Sequence, residues 1–173
     1  MISNTALSLC AIALIGLMSV ARVVVPAVQR TYNPPDGMVI WVGSPERDPR
    51  LGEHSKRLLG RDAPDTIVIC MSDCGPCIQD RLLSQREALS ALGRRVLFAV
   101  ATRPSASDVA FFERALPEVD TQVVELTDSI ASSLNAYFVP RVYFFDERGR
   151  LAFIQPTALA FADALREVAH LVE

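Results

Sequence analysis

One segment decides the fold of this 173-residue chain: Thr66-Ile67-Val68-Ile69-Cys70, which runs through Met71-Ser72-Asp73 into Cys74-Gly75-Pro76-Cys77. Its first five residues are apolar or β-branched without interruption, which is typical of a strand covered on both faces. We therefore predict a central parallel strand that ends just before a pair of cysteines with C-x-x-C spacing.

The chain on either side of this segment predicts strands that alternate with helices. Apolar residues recur at helical spacing over Ile78–Leu92 until Gly93 provides a stop, while Ser105 and Asp128 are expected to cap later helices. The turn Asp146-Glu147-Arg148-Gly149 predicts an antiparallel hairpin. We predict further strands at 38–42, 96–101, 123–126, 142–145 and 151–154, and helices at 51–59, 76–92, 105–116, 128–136 and 161–172. This order indicates an α/β fold in which helices flank one central mixed sheet.

Composition and charge exclude some classes of function. Half of the residues are hydrophobic and the net charge is −3, so the chain can bury one core but offers no basic surface. Sixteen arginines and Lys56 are scattered without a run that would neutralise a phosphate backbone. We do not expect nucleic acid as a partner.

The N-terminus predicts a membrane anchor. From Ala6 to Val28 the only charged residue is Arg22, and a helix of about 20 residues crosses the hydrocarbon layer. A cleaved signal peptide is the alternative, since Ser19-Val20-Ala21 has small residues at a suitable spacing. Met1-Ile2-Ser3-Asn4-Thr5 lacks the Lys or Arg that a signal peptide carries, which favours the anchor.

These features divide the chain into three parts. Residues 1–29 form the anchor or signal peptide, 30–37 form a Pro- and Gly-rich linker, and 38–173 form the globular domain. Arg22 and Arg30 follow the apolar run, so the positive-inside rule alone would place the domain in the cytoplasm.

Cys74 and Cys77 meet the demands of disulfide exchange. This chemistry needs one reachable, ionised thiol and a second thiol close enough to resolve the mixed disulfide. A helix that starts at about Gly75 would favour the Cys74 thiolate through its N-terminal dipole. Pro76 suits the first turn of a helix, where a missing N–H costs nothing, and stiffens the segment between the thiols.

Two metal sites are alternatives. A structural zinc ion needs four ligands, and only His54 and His170 supplement the cysteines, so zinc is disfavoured. Cys70, Cys74 and Cys77 could instead form a three-thiolate copper site. The competing interpretation of Cys70 is a small buried residue of the central strand.

The second half of the pattern is Val139-Pro140, directly before the strand at 142–145. The order strand, C-G-P-C, helix, apolar residue with proline, hairpin and closing helix resembles thioredoxin. The segments Leu134–Pro140 and Phe144–Leu151 are similar to the TlpA-type branch, which comprises bacterial thioredoxin-like proteins that are membrane-anchored and face outward. The resemblance covers residues 38–173 and implies a thioredoxin-like fold with an extracytoplasmic, periplasmic-side domain.

The resemblance also implies roles for the site residues. Cys74 would be the attacking thiol and Cys77 the resolving thiol, with no cofactor beyond their redox-active disulfide. Pro140 would be a cis proline beside them, and the Val139 backbone would pair with a bound substrate strand. Arg141 would then read substrate charge or partly offset Asp73, and a solvated surface arginine is the competing interpretation.

The sequence departs from the family pattern at several positions. Asp73 replaces the usual Trp and should oppose ionisation of Cys74, while Ile78 replaces a common Lys or Arg. Val68 stands where thioredoxin has a buried acid and cannot transfer protons. Arg141 stands where Thr is common.

The function we predict is a thiol–disulfide oxidoreductase that reduces disulfides in extracytoplasmic proteins. Its partners would be protein disulfides, a membrane electron donor and the membrane itself through the N-terminal helix. Copper delivery is the alternative. Thiol peroxidase is disfavoured because Met71 occupies the place of a Thr or Ser, and a scaffold of low activity gains weight from Val68 and Asp73.

Overall fold

The computed structural model describes residues 45–71 and 82–172 of the chain. The predicted anchor, the linker and the strand at 38–42 lie outside these residues. Within the described ranges, no helix has both the length and the apolar character needed to cross a bilayer.

The described residues form five strands and five complete helices after a 3-10 turn at Pro45–Arg47, and residues 82–84 are also helical. The strands are β1 Thr66–Met71, β2 Arg95–Val100, β3 Thr121–Glu125, β4 Arg141–Phe145 and β5 Leu151–Ile154. The helices are α1 Ser55–Leu59, α2 Arg86–Leu92, α3 Ala106–Ala115, α4 Asp128–Leu134 and α5 Phe161–Val172.

The strands form one mixed sheet in the order β3-β2-β1-β4-β5. β1 pairs in parallel with β2, and β2 pairs in parallel with β3. β4 runs antiparallel to β1 and forms a hairpin with β5. The prediction of β1 as a central strand with neighbours on both sides is confirmed.

Each face of the sheet carries its own apolar cluster, because successive side chains of a strand point to opposite faces. Ile67, Ile69 and Met71 pack with α2, α3 and α5 on one face. Val68 and Cys70 pack with α1 and α4 on the other face. All six residues of β1 are buried, which explains why its sequence is continuously apolar rather than alternating.

The first predicted helix begins later than expected. Gly52 has a left-handed φ of 88°, and its amide donates to the Leu151 carbonyl at 2.8 Å. The Leu151 amide donates in turn to the Glu53 carbonyl at 2.8 Å, so this stretch runs beside β5 instead of coiling. The helix therefore starts at Ser55, with His54 as its N-cap.

Two other helix predictions change in detail. Thr127, not Asp128, caps α4, since its hydroxyl accepts from the Ile130 amide at 3.3 Å. The predicted long helix is interrupted at Gln85, whose amide closes a tight turn onto the Leu82 carbonyl at 3.0 Å. The stop at Gly93 and the cap at Ser105 are confirmed.

The strand order, the mixed pairing and the helices on both faces fit a thioredoxin-like α/β fold. Because β4 runs antiparallel to β1, the C-terminal end of β1 and the N-terminal end of β4 lie side by side at the same end of the sheet. Among the described residues, the predicted site residues Val139, Pro140 and Arg141 lie at this end of the sheet.

Candidate functional site

The site begins where β1 ends. Met71 is the last residue of the strand and is 2 % exposed. The predicted motif residues Cys74, Gly75, Pro76 and Cys77 lie in the segment 72–81, outside the described residues. Their predicted roles remain predictions, and the described residues define the part of the site that surrounds the end of β1.

The Val139–Pro140 turn lies directly beside this end. Cys70 of β1 pairs with Arg141 of β4, so Pro140 stands one residue beyond this pair, in the direction in which β1 runs. The Val139–Pro140 peptide bond is cis, as the resemblance implied, and both residues are half-buried. Val139 and Pro140 are far from the cysteines in sequence. The fold nevertheless places both predicted site residues beside the end of β1, after which the C-x-x-C segment begins.

Arg141 is not the surface residue that one interpretation predicted. Its side chain is fully buried, although it directly follows the turn. The guanidinium forms a two-point ion pair with Asp48, from Nη1 to Oδ1 at 2.9 Å and from Nη2 to Oδ2 at 2.6 Å. Burial without such a partner would leave an uncompensated charge, so the arginine tolerates this position because Asp48 reaches it.

Two further guanidinium N–H groups bind main-chain carbonyls. Nη1 also donates to the Asn135 carbonyl at 2.6 Å, and Nε donates to the Gln155 carbonyl at 3.2 Å. The cation lies 4.8 Å from the ring centroid of Tyr137 and 4.9 Å from that of Phe138. Arg141 therefore contacts the first residue and the aromatic side chains of the loop that leads to Pro140.

Electrostatics keep this arginine charged. Burial alone lowers the pKa of Arg141, but the hydrogen bonds and charge of Asp48, together with the neighbouring Tyr143 and Tyr137, more than offset it. The net direction of the pKa is upward. The end of the sheet beside the Val139–Pro140 turn consequently contains a permanently charged arginine, and Asp48 balances this charge.

Three residues of this network were missed by the sequence analysis. Asp48 is 93 positions from Arg141, and no local pattern connects the two. Asn135 ends α4 with a φ of 54° and donates from Nδ2 to Asp48 Oδ1 at 2.6 Å. Gln155 follows β5 and accepts from the Val142 amide at 2.9 Å through Oε1. An asparagine at the end of a helix is a signal for a left-handed cap, but it does not reveal the partner.

Cys70 occupies the interior rather than the site surface. The thiol is fully buried among apolar neighbours, and this burial raises its pKa to about 12, although Arg141 opposes the shift. Tyr143 lies on the same face, and its hydroxyl donates to the Leu134 carbonyl at 3.0 Å. The interpretation of Cys70 as a small buried core residue agrees with these surroundings.

Val68 stands in β1 opposite Tyr143 and is fully buried in the same cluster as Cys70. The side chain at this point of the strand is therefore a hydrocarbon and not a carboxylate. Among the described residues, no group of three His, Cys, Asp or Glu side chains is placed to hold a metal ion.

Comparisons with solved structures find thioredoxin-related proteins. The thioredoxin domain of a thiol-disulfide oxidoreductase from Bacteroides vulgatus is 14 % identical, with 65 % of this chain and 81 % of that chain covered and a TM-score of 0.46. A secreted disulfide oxidoreductase from Mycobacterium tuberculosis is 15 % identical, with 62 % and 78 % covered and a TM-score of 0.42. StoA from Bacillus subtilis is 12 % identical, with 72 % and 96 % covered and a TM-score of 0.43.

No protein-family model and no curated protein matches the chain. The fold assignment accordingly comes from the strand order and register described above.

Proposed function

We propose that this chain is a thiol–disulfide oxidoreductase that reduces disulfides of other proteins through Cys74 and Cys77. The observation that carries the proposal is the β1–β4 register. It places the Val139–Pro140 turn beside the C-terminal end of β1, from which the chain continues into the C-G-P-C motif. Cys74 follows Met71 by three residues, which limits the separation of their Cα atoms to about 11 Å. The chain therefore reaches Cys74 within three residues of the strand end beside which the Val139–Pro140 turn lies.

The chemistry is a two-step exchange. The Cys74 thiolate attacks one sulfur of the substrate disulfide, a mixed disulfide forms, and the second substrate sulfur leaves and takes up a proton. The Cys77 thiolate then attacks the Cys74 sulfur and releases the first substrate sulfur, which is protonated in turn. The substrate gains two electrons, and the pair Cys74–Cys77 loses them as it becomes a disulfide. No other cofactor takes part.

Substrate binding is assigned to the turn before β4. Val139 belongs to no strand and is half-buried, so its backbone can pair with an extended segment of a substrate protein. Pro140 has no N–H, and its ring presents an apolar surface beside that segment. Arg141 is too deeply buried for its guanidinium to bind substrate, so its role is indirect.

Cys70 takes no part in this cycle. With a pKa raised to about 12 by burial, its sulfur remains a thiol at neutral pH, whereas nucleophiles and soft-metal ligands are thiolates. The full burial of the Cys70 side chain among apolar neighbours weighs against copper delivery through Cys70, Cys74 and Cys77. Val68 and Asp73 would make the exchange slower than in thioredoxins that carry an acid and a Trp at these places.

We further propose that residues 6–28 anchor the domain in the membrane and that the domain faces the extracytoplasmic side. Substrates would be disulfides of extracytoplasmic proteins, and a dithiol of a membrane protein would return the pair Cys74–Cys77 to its reduced form. The apolar run and the family resemblance support this assignment.

The test is reduction of insulin disulfides by the full-length chain, with dithiothreitol as the electron source. We expect turnover by the wild type, a loss to the background rate in Cys74→Ser, and a trapped mixed disulfide in Cys77→Ser. Cys70→Ala is the matched control, because it removes a thiol from the same stretch and should keep the activity.

Equilibration against glutathione and dithiothreitol buffers then gives the reduction potential of the pair Cys74–Cys77. A potential near −270 mV supports a reductant, while one near −120 mV would instead indicate an enzyme that forms disulfides. Unchanged insulin reduction in Cys74→Ser, or a pair that never forms a disulfide, would overturn the oxidoreductase assignment.

A further inference from the structure

The loop between α4 and β4 is shaped by the residue that follows it. This loop, residues 135–140, contains the Val139–Pro140 turn. We propose that Arg141, fixed by Asp48, is a positioning residue that holds the turn in the geometry needed to bind a substrate strand. The inference rests on the proposed function and extends it to residues that do not touch the reacting sulfurs.

The first argument is that one side chain spans the whole loop. Arg141 closes the loop in sequence, and its Nη1 donates to the carbonyl of Asn135, where the loop begins. The guanidinium also lies within 5 Å of the ring centroids of Tyr137 and Phe138 in the middle of the loop. A change in the position of this guanidinium therefore moves the start and the middle of the loop together.

The second argument is that Asp48 fixes the guanidinium itself. Two parallel N–H···O bonds between a planar cation and a carboxylate set the orientation as well as the distance. Asp48 also accepts from Asn135 Nδ2 at 2.6 Å, so it holds the loop directly as well as through Arg141. Asp48 itself is only 23 % exposed, which keeps these bonds largely out of water.

The third argument comes from the opposite side of Arg141. Its Nε donates to the Gln155 carbonyl, while Gln155 accepts from the Val142 amide and donates from Nε2 to the Leu159 carbonyl at 2.7 Å. Tyr137 is also tied outward, with its hydroxyl 2.5 Å from Thr157 Oγ1. The loop is thus held between the segment around Asp48 and the segment that follows β5.

This arrangement predicts a selective defect. A substrate protein that pairs with the Val139 backbone needs that backbone in place, whereas a small disulfide needs only access to Cys74. Loss of the ion pair should therefore impair protein substrates far more than small ones. A general loss of folding, or a change in thiol reactivity, would instead affect both substrates alike.

The experiment compares insulin with 5,5′-dithiobis(2-nitrobenzoate) as substrates of the full-length chain. Asp48→Asn keeps the shape of the side chain and removes its charge, and Arg141→Lys keeps the charge and removes the planar fork. We expect kcat/KM for insulin to fall roughly 10- to 100-fold, mainly through KM, because loop positions shift by about an ångström. The rate with the small disulfide should change less than about twofold.

Two further variants separate positioning from stability. Arg141→Met combined with Asp48→Leu removes both charges, so the fold is retained without a buried unpaired charge, yet the loop loses its tie to Asn135. This double variant should show the same selective defect. Asp120→Asn removes the carboxylate of an exposed ion pair with Arg95 and should behave as wild type toward both substrates.

Hydrogen exchange gives a readout that does not depend on activity. The amides of Ala136 and Tyr137 donate to the Ala131 and Asn135 carbonyls at 2.8 Å, and Asp48→Asn should speed their exchange at least tenfold while β1 stays protected. Unchanged exchange, or equal losses with both disulfides, would overturn the inference. If wild type reduces neither disulfide, the proposed function fails, and the exchange data still decide whether Asp48 orders the loop.

Discussion

Both ends of the sheet carry arginine–aspartate ion pairs, but the pairs differ in how they are surrounded. At the end where β1 finishes, Arg141 is fully buried and binds Asp48 at two points. At the opposite end, Arg94 pairs with Asp65 through one bond at 2.5 Å, and both side chains are about one-third exposed, at 26 % and 34 %.

The opposite end is also open to water. Clefts of about 320 and 350 Å³ adjoin Arg94 and Asp65, and their walls carry further charged side chains. One carboxylate oxygen of Asp65 is buried there without a hydrogen-bond partner. The same two residue types thus build a fixed, nearly saturated network at one end and a loose, solvated one at the other.

The largest effect should come from Arg141→Met. The substitution leaves Asp48 without its counter-ion and removes the guanidinium donors to the carbonyls of Asn135 and Gln155, so we expect a loss of about 3 kcal/mol in the free energy of unfolding. Urea unfolding followed by circular dichroism measures it. Arg95→Met removes an arginine of the opposite end and is the matched comparison. Equal losses in the two variants would remove the distinction between the two ends.

A smaller, pH-dependent effect should come from Cys70, which pairs with Arg141 across the β1–β4 ladder. Its pKa rises from 9.0 to about 12 on burial, so between these values the folded chain retains a proton that the unfolded chain releases. The contribution of the Cys70 thiol to the free energy of unfolding is therefore fully present below pH 9 and is lost as the pH rises toward 12.

The direction of this pH dependence can be checked with the variant Cys70→Ala. The difference in unfolding free energy between wild type and variant should shift against wild type by about 1.4 kcal/mol from pH 8 to pH 10. Titrating groups that do not interact with Cys70 cancel because both proteins carry them, whereas the Cys70 charge raises the pKa of Tyr143 in the wild type alone. A difference that stays constant with pH would mean that Cys70 is more solvated than its surroundings indicate.

The smallest effect should come from Asp120→Asn. Arg95 and Asp120 are 42 % and 61 % exposed, so their pair should contribute less than about 0.5 kcal/mol. The contribution should vanish at roughly 1 M salt, where the screening length is only about 3 Å. Urea unfolding at low and high salt measures this, and a salt-resistant contribution above 1 kcal/mol would place this end on a par with the buried network.

Much of the fold could be predicted from local patterns. The uninterrupted apolar run of β1, the stop at Gly93 and the turn at 146–149 each depend on neighbouring residues, and the structure agrees at all three. The start of α1 could not be predicted in this way. Gly52 is held beside Leu151 by pairing with a strand about 100 positions later, and this contact overrides local helical spacing.

The site divides along the same line. The cis peptide bond at Pro140 could be predicted because the residues around it resemble a known pattern. The burial of Arg141 could not, because arginine is ordinarily solvated and only its distant partner Asp48 makes the interior acceptable. Single-residue expectations fail here for a physical reason: the energy of a charge depends on its counter-ion, and sequence spacing does not show which counter-ion is near.

The separation of Asp48 from Arg141 has a consequence for the order in which the protein is completed. The pair joins residues 93 positions apart, so a chain growing from its N-terminus exposes Asp48 long before its partner exists. Contacts of such long range close late because the loop between them must first be ordered. The loop that carries Val139 and Pro140 is therefore set among the last parts of the domain, after the sheet beneath it.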